Sequence, residues 1–154
     1  MAVYEYFTRI FKPKQEQQLL SLVAKHTDNA VIITDPNGLI VWVNEGFTRI
    51  SGYDLTEVQG KKPGSFLQGP ATNPEHRNEI RAGILSRKPF TAKILNYSKN
   101  HTPYWLRLQI APVFSDSGDL ENFIAIETDI TAEVAHQEMM EYKNKEMMTL
   151  MEQM

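Results

Sequence analysis

The 154 residues fit a single domain, long enough to bury about two-thirds of the surface its unfolded chain exposes. A composition of 42% hydrophobic and 23% charged residues excludes a mainly disordered or fibrous chain, and the net charge of -3 gives no electrostatic reason to seek nucleic acid. The absence of Cys excludes disulfides, thiolate metal sites, iron–sulfur clusters and a catalytic thiol.

No apolar run approaches the ~20 residues of a membrane span, and no basic stretch followed by an apolar core opens the chain. The expectation is a soluble, cytoplasmic protein with no membrane partner. Val3, Tyr6, Phe7, Ile10 and Phe11 recur at the spacing that stacks side chains on one helix face, and that helix stops before Pro13. A second helix follows, with Leu19, Leu20, Val23 and His26 on its stripe. Such an aromatic face packs either on the chain's own sheet or on a partner subunit.

From Ala30 the pattern turns β-branched. Val31-Ile32-Ile33-Thr34 and Leu39-Ile40-Val41-Trp42-Val43 flank Asp35-Pro36-Asn37-Gly38, whose Pro presets φ and whose Asn-Gly accepts positive φ, so a β-hairpin is predicted. Residues 44–60 read as short helical pieces, with Asp54 and Glu57 spaced as a capping arrangement. Residues 61–69 read as a loop broken by Pro63-Gly64. Asn73 then caps a helix that starts at Pro74, carries Ile80 and Ile84 on its apolar stripe and ends near Arg87.

Three strands follow, at about residues 90–97, 104–113 and 122–130, with hairpin-length links that make them antiparallel neighbours. The tail from Thr131 to Met154 has no Gly or Pro, and Met140, Met147, Met151 and Met154 fall at heptad-like spacing, with Asn144 as the impure position of the seam. Two strands, several short helices, three strands and a departing helix make an α+β pattern.

Within this pattern, Ile33-Thr34-Asp35-Pro36-Asn37-Gly38, Val43-Asn44-Glu45-Gly46-Phe47, Ser51-Gly52-Tyr53, Glu57-Val58-Gln59-Gly60, Tyr104-Trp105 and Asp129-Ile130-Thr131 resemble the PAS sensor family over residues 28–130. Phe66-Leu67-Gln68-Gly69-Pro70, Asn96-Tyr97, Thr102-Pro103-Tyr104-Trp105 and Ile110-Ala111-Pro112 are similar to its light-oxygen-voltage branch. The resemblance implies a PAS fold: a five-stranded antiparallel sheet with short helices on one face. Residues 1–27 would form an N-terminal helical cap and 131–154 a signalling helix.

The departures from that branch are specific. Where the flavin photoreceptors carry the Cys that bonds to photoexcited flavin and an Arg that meets the phosphate, this chain has Gly64 and Ser65, and one additional residue separates Gly60 from Phe66. The second amide expected after Tyr104 is replaced by Leu106, and the terminal Gln of the last strand by Glu127.

Alternation in the strand beginning at Phe90 puts Phe90, Ala92, Ile94 and Asn96 on one inward face. In the last strand Phe123, Ala125 and Glu127 share a face. Apolar Ile124 and Ile126 leave its direction open to parity alone, and the resemblance turns it toward the pocket, with small Ala125 leaving room for a ligand. An inward Glu127 has its pKa raised by desolvation and, once protonated, both donates and accepts. Asn96, Gln68 and Glu127, with Phe90, Leu106 and Ala125 around them, either contact a cofactor or satisfy one another and the backbone.

His76, third in the helix capped by Asn73 and on the stripe of Ile80 and Ile84, has a spacing similar to the proximal His of haem-binding PAS sensors. It is either that ligand or a cap-adjacent residue. The cofactor readings are therefore a flavin (FMN or FAD), haem b or none.

Catalysis by the chain itself is not expected. The four His have no metal-ligand spacing with one another, and no nucleophile elbow or phosphate-cradling glycine motif occurs. Two functions compete: a signal-input module that relays its pocket state through residues 131–154 to an output partner, and a ligand-free PAS dimerisation scaffold. Both accommodate a parallel homodimer through the N-terminal aromatic face and the Met seam.

Overall fold

The computed structural model describes Ala24 and residues 27–154. The predicted helices bearing Val3, Tyr6, Phe7, Ile10 and Phe11 and then Leu19, Leu20, Val23 and His26 lie outside the described residues. The described elements are strands β1 (Ala30–Thr34) and β2 (Ile40–Val43), helices α1 (Glu45–Ser51), α2 (Leu55–Val58), α3 (Gly64–Leu67) and α4 (Pro74–Ser86), strands β3 (Phe90–Tyr97), β4 (Pro103–Phe114) and β5 (Leu120–Asp129), and helix α5 (Thr131–Glu152).

Local chemistry fixes many of these boundaries. In the β1–β2 turn the Asp35 carboxylate accepts from the amides of Asn37 at 2.9 Å and Leu39 at 3.0 Å, while Gly38 takes φ 83°, a left-handed conformation that glycine adopts without strain. Asp54 and Glu57 close the predicted capping box of α2. Asn73 caps α4 through the Glu75 amide at 2.9 Å, with Pro74 at its start and Arg87 ending it in the left-handed region. One expectation fails: the stretch predicted as a loop contains α3, which starts directly after Pro63. Its Pro-Gly pair opens this single helical turn instead of breaking one, consistent with proline's tolerance at helix starts.

Asn44 holds the first half of the molecule together. Its Oδ1 accepts from Val31 N–H at 2.8 Å and Phe47 N–H at 2.9 Å, capping α1 and tying it to β1. Its Nδ2 donates to the carbonyls of Ala24 at 2.8 Å and Asn29 at 3.0 Å. A side chain only 3% exposed thus has four partners, all of them backbone groups. Gly46 sits where a Cβ would come within 2.2 Å of the Asn29 carbonyl oxygen, so the chain passes too close for any side chain.

The five strands form one antiparallel sheet in the order β2-β1-β5-β4-β3. The first and last strands are therefore neighbours, with Ala30 opposite Glu127 and Ile32 opposite Ala125. The inner face carries Ala30, Ile32, Leu106, Leu108, Ile110 and Phe123, covered by Phe47 of α1, Val58 of α2, Leu67 of α3 and the Ile80–Ile84 stripe of α4. On the outer face Val31, Ile33 and Trp42 pack with Ala24.

α5 leaves the sheet at the end of β5. No residue of its 22 is buried.

Candidate functional site

The inner face is largely apolar, its buried polar members being Thr34, opposite Phe123, and three groups further along the sheet. Row by row across the sheet, Ala30, Glu127, Leu108 and Ala92 stand side by side, as do Ile32, Ala125, Ile110 and Phe90. Strand parity puts Asn96 and its opposite number Tyr104 on the same face as Glu127, and all three are buried. Asn96 shares that face with Ala92 and Ile94, as its alternation predicts.

Glu127 is the chemically distinctive member. It is 6% exposed, no described residue gives it a hydrogen bond, and burial alone pushes its carboxyl up to about 8. At neutral pH the acid is mostly protonated, so it offers an O–H donor and a carbonyl acceptor from one side chain. Tyr104 is also held well above its ordinary range, first by burial and then by the nearby Glu127 charge, while the Asn96 amide at its hydroxyl opposes the shift. Tyr104 therefore feels both Asn96, at its hydroxyl, and the charge of Glu127.

The other predicted site residues are placed differently. Leu106 is buried in the apolar cluster beside Ile94, and Ala125 packs against both halves of the core. Phe90 lies over Gly83 of α4, where a Cβ would come within 2.5 Å of the ring, so its ring clamps α4 to the sheet. Gln68 folds back over Gly64, its Nε2 3.0 Å from where a Cβ at that position would be. No hydrogen bond joins it to Asn96 or Glu127 among the described residues.

His76 stands apart from the Asn96–Glu127 group. Its ring meets Trp105 edge-on at 5.9 Å between centroids, and Trp105, paired with Leu95, occupies the sheet face opposite to Leu106. Its Nδ1 is buried without a partner. Arg77 beside it was not singled out by the sequence: its Nε is buried without a partner, and its Nη2 reaches the Gly69 carbonyl at 3.4 Å. A cation at a helix start reads in sequence as solvated, and only the fold over the 69–72 turn encloses it. Among the described residues no group of three or more His, Cys, Asp or Glu could hold a metal ion.

The site adjoins the start of α5. Thr131 Oγ1 accepts from Trp105 N–H at 2.9 Å and donates to Asp129 Oδ1 at 2.6 Å, and Ile130 N–H donates to the Trp105 carbonyl at 2.9 Å. Arg107 on β4 pairs with Glu133 on the first turn of α5 at 2.9 Å. A strand whose inner face carries Tyr104 and Leu106 thus grips the departing helix through Trp105 and Arg107.

Residues 28–132 match the pattern of the PAS domain family. The chain belongs to that family. As a PAS domain it is 34% identical over 123 residues to a blue-light-activated histidine kinase of Brucella anthropi, covering 78% of this chain and 25% of that protein. It is 37% identical over 100 residues to one of Brucella canis, covering 65% of this chain and 20% of that protein. The chain thus spans a quarter to a fifth of the length of these curated relatives.

Among solved structures, the PAS domain resembles one described under flavin-analogue work on a light-oxygen-voltage domain, with TM-score 0.69 and 29% identity, covering 83% of this chain and 96% of that one. It shares its fold with an RNA-binding light-oxygen-voltage receptor at TM-score 0.76 and 24% identity, covering 88% of this chain and 39% of that one. The predicted five-stranded antiparallel α+β fold with a C-terminal helix is the fold observed. No described helix is long and apolar enough to cross a membrane.

Proposed function

We propose that this PAS domain is a cytoplasmic signal-input module that binds a flavin against the inner face of its sheet and relays the pocket's state through α5 to an output partner. The observation that carries this reading is Glu127, a buried acid without a hydrogen-bond partner among the described residues, on an apolar wall that also carries Asn96 further along. Leaving such a group unpaired costs roughly 1 to 3 kcal/mol, and a ligand bearing both donors and acceptors on one edge offsets that cost.

The residues present fit the ring edge of a flavin: the Asn96 amide and the protonated Glu127 would hold it, the latter in place of the amide that the light-oxygen-voltage branch carries there. Small Ala125 and Ala92 leave room for a planar ring. Arg77, with its unpartnered Nε, would hold an anionic tail where Ser65 offers no charge. A bound flavin supplies blue-light absorption and reversible electron uptake. With Gly64 at the place of the reactive Cys and no Cys among these residues, no thiol of this chain bonds to it.

Coupling to an output rests on β4, which carries Tyr104 inward and grips α5 through Trp105 and Arg107. A ligand that prefers one arrangement of this strand biases the helix by that difference in affinity. The kinase activity named for the relatives supports a histidine-kinase type of output partner, and catalysis by this chain itself is not part of the proposal. Haem b gains no support from the position of His76 against Trp105.

An absorption spectrum of the purified protein tests the reading. Flavin bands that are lost or much weakened in Asn96→Ala are expected, from the roughly 1 to 3 kcal/mol of binding that an unpaired ring heteroatom forfeits. A Soret band, or flavin retention unchanged by that substitution, would overturn it.

A second reading, a ligand-free dimerisation scaffold, is favoured by one observation. α5 exposes Met140, Met147 and Met151 along with Met139, Met148 and Leu150, and Met154, two residues past its end, is exposed as well. We propose that Met140, Met147, Met151 and Met154, with Asn144 fixing register, pair this end of the chain in parallel with a second copy, assisted by the N-terminal aromatic face. A colourless protein that sediments as a dimer would favour the scaffold, and a monomer at micromolar concentration would refute pairing in either reading.

A further inference from the structure

The outer face of the sheet holds side chains that its own strands cannot enclose. Val31 and Ile33 of β1 and Trp42 of β2 stand on it, and Ile33 is 0% exposed, Trp42 4% and Val31 5%. Side chains project roughly perpendicular to a sheet, so neighbours in its plane leave their tips bare, and full enclosure needs a layer above. Among the described residues, Ala24 and Leu55 are the apolar side chains that reach this cluster from outside the sheet. Leu55 packs against the inner cluster as well, so it closes an edge and not the face. One Ala methyl is too small to cover two β-branched side chains and an indole. We propose that residues 14–23 supply the rest of this layer, docking on the outer face of their own chain through Leu20 and Val23.

The point at which this segment meets the sheet is fixed. Ala24 is helical, and its carbonyl accepts from Asn44 Nδ2 at 2.8 Å, while Asn44 Oδ1 accepts from Val31 N–H of β1. With Ala24 turned to the sheet, helical spacing brings Leu20, four residues earlier, to the same face, with Val23 and Leu19 on its flank. Pro13 bounds the segment at its other end.

The reach is sufficient. Residues 14–23 as a helix rise ~15 Å, about three strand spacings of ~4.8 Å, which spans β2, β1 and β5. The cover thins over β5, where Ile124, opposite Ile33, is half-buried and Ile126, opposite Val31, is 40% exposed.

A second copy is the weaker candidate for this place. Ala24 already sits on the face, so the residues just before it are held at high effective concentration, whereas another molecule must first lose its translational freedom. The aromatic residues before Pro13 stay available for the pairing proposed above. Docked on β1 and β5, the segment lies behind the strand pair whose inner side carries Glu127. The inner pocket then has a neighbour at each end of the chain, α5 along β4 and residues 14–23 across β1 and β5. None of this depends on the flavin reading.

A nitroxide attached to Gln18→Cys tests the docking in the full chain, which has no other Cys. Residue 18 falls on the side of the helix away from Leu20 and Val23, so the label stays clear of the contact. Broadening of the amide signals of Ile33, Trp42 and Ile124 is expected, with those of Ile80 and Ile84 on the inner side unaffected. Leu20→Asp in the labelled chain should reduce the broadening several-fold, and Leu20→Ala, which keeps the helix, to a lesser degree. A mixture of labelled unenriched chain with unlabelled 15N chain should show none. Absence of broadening at the three outer amides, or broadening unchanged by both substitutions, would overturn the docking. Broadening passed between molecules in the mixture would overturn it too, by giving the face to a second copy.

Discussion

The inner face of the sheet and helix α5 are joined at Thr131, yet they are held in opposite ways. The inner face is built from pairings between strands far apart in sequence, and its large side chains are almost wholly enclosed. α5 buries none of its side chains and, among the described residues, is tied to the neighbouring strand β4 by the Thr131 and Ile130 hydrogen bonds to Trp105 and by the exposed Arg107–Glu133 pair. At roughly 1 kcal/mol for each hydrogen bond and less for the exposed ion pair, this docking amounts to about 2 to 3 kcal/mol. That lies within the coupling energies of about 1 to 3 kcal/mol that ligands typically supply between sites. A closely packed sheet face and a lightly tethered helix thus differ in how firmly they are held, and a bias of about 1 to 3 kcal/mol arising in the first would suffice to move the second.

The sharpest way to break the comparison is to damage the core alone. Asn44→Ala removes one side chain with four backbone partners and leaves Val31 N–H and the Ala24 and Asn29 carbonyls unpaired. A loss of roughly 3 to 5 kcal/mol is expected from several buried groups left unsatisfied, measured by urea denaturation. A loss below about 1 kcal/mol would mean that the first half of the core does not depend on this amide.

Glu127 separates core from helix by pH. Its folded pKa, raised by burial from 4.5 to about 8, means that the native state binds a proton that the unfolded state has released. The contribution of this group to stability is therefore greatest at low pH and falls as pH rises from 4.5 through about 8. In the middle of that window the loss is about 1.4 kcal/mol per pH unit at most. Glu127→Gln should flatten this dependence and gain relative stability in alkaline solution, in denaturation curves recorded at several pH values. A wild-type profile already flat across the window would put the carboxyl in contact with water.

The tether is probed by Thr131→Val, which removes the acceptor of the Trp105 N–H without changing the shape of the side chain. About 1 kcal/mol should be lost from docking. Faster hydrogen exchange at Trp105 and along the first turn of α5 should accompany little change in the core's unfolding transition. An equal loss in both would show that helix and sheet are a single cooperative unit.

Arg107→Gln is the smallest perturbation, since both members of the pair with Glu133 are substantially exposed. A cost below about 0.5 kcal/mol that disappears at high salt is expected from helix-exchange measurements.

The parts of the fold legible in the sequence were those set by neighbours in the chain. Asp35-Pro36-Asn37-Gly38 predicts its turn because both the side-chain acceptor and the positive φ lie within the tetrapeptide, and Asp54 with Glu57, and Asn73 with Pro74, predict their caps for the same reason. Strand alternation placed Asn96 inward. Family resemblance was needed to orient β5, where apolar Ile124 and Ile126 compete with Phe123 and Ala125, and the structure puts Ala125 and Glu127 inward.

What remained hidden depends on distance in sequence. The pairing of β1 with β5 leaves no local period, the fourfold role of Asn44 needs partners on both sides of it, and the ring contact of His76 with Trp105 depends on how α4 approaches β3 and β4. α3 escaped because Pro63-Gly64 has the composition of a break, and a single turn has no periodicity to oppose it.

The adjacency of β1 and β5 has a further effect. Ala30, at the beginning of the first strand, faces Glu127, near the end of the last, so the chain arrives and departs at the same edge of the domain. A domain wired this way resembles a plug with both leads on one side: spliced into a longer polypeptide, it separates the flanking segments by little, and a twist between its two central strands is felt by both.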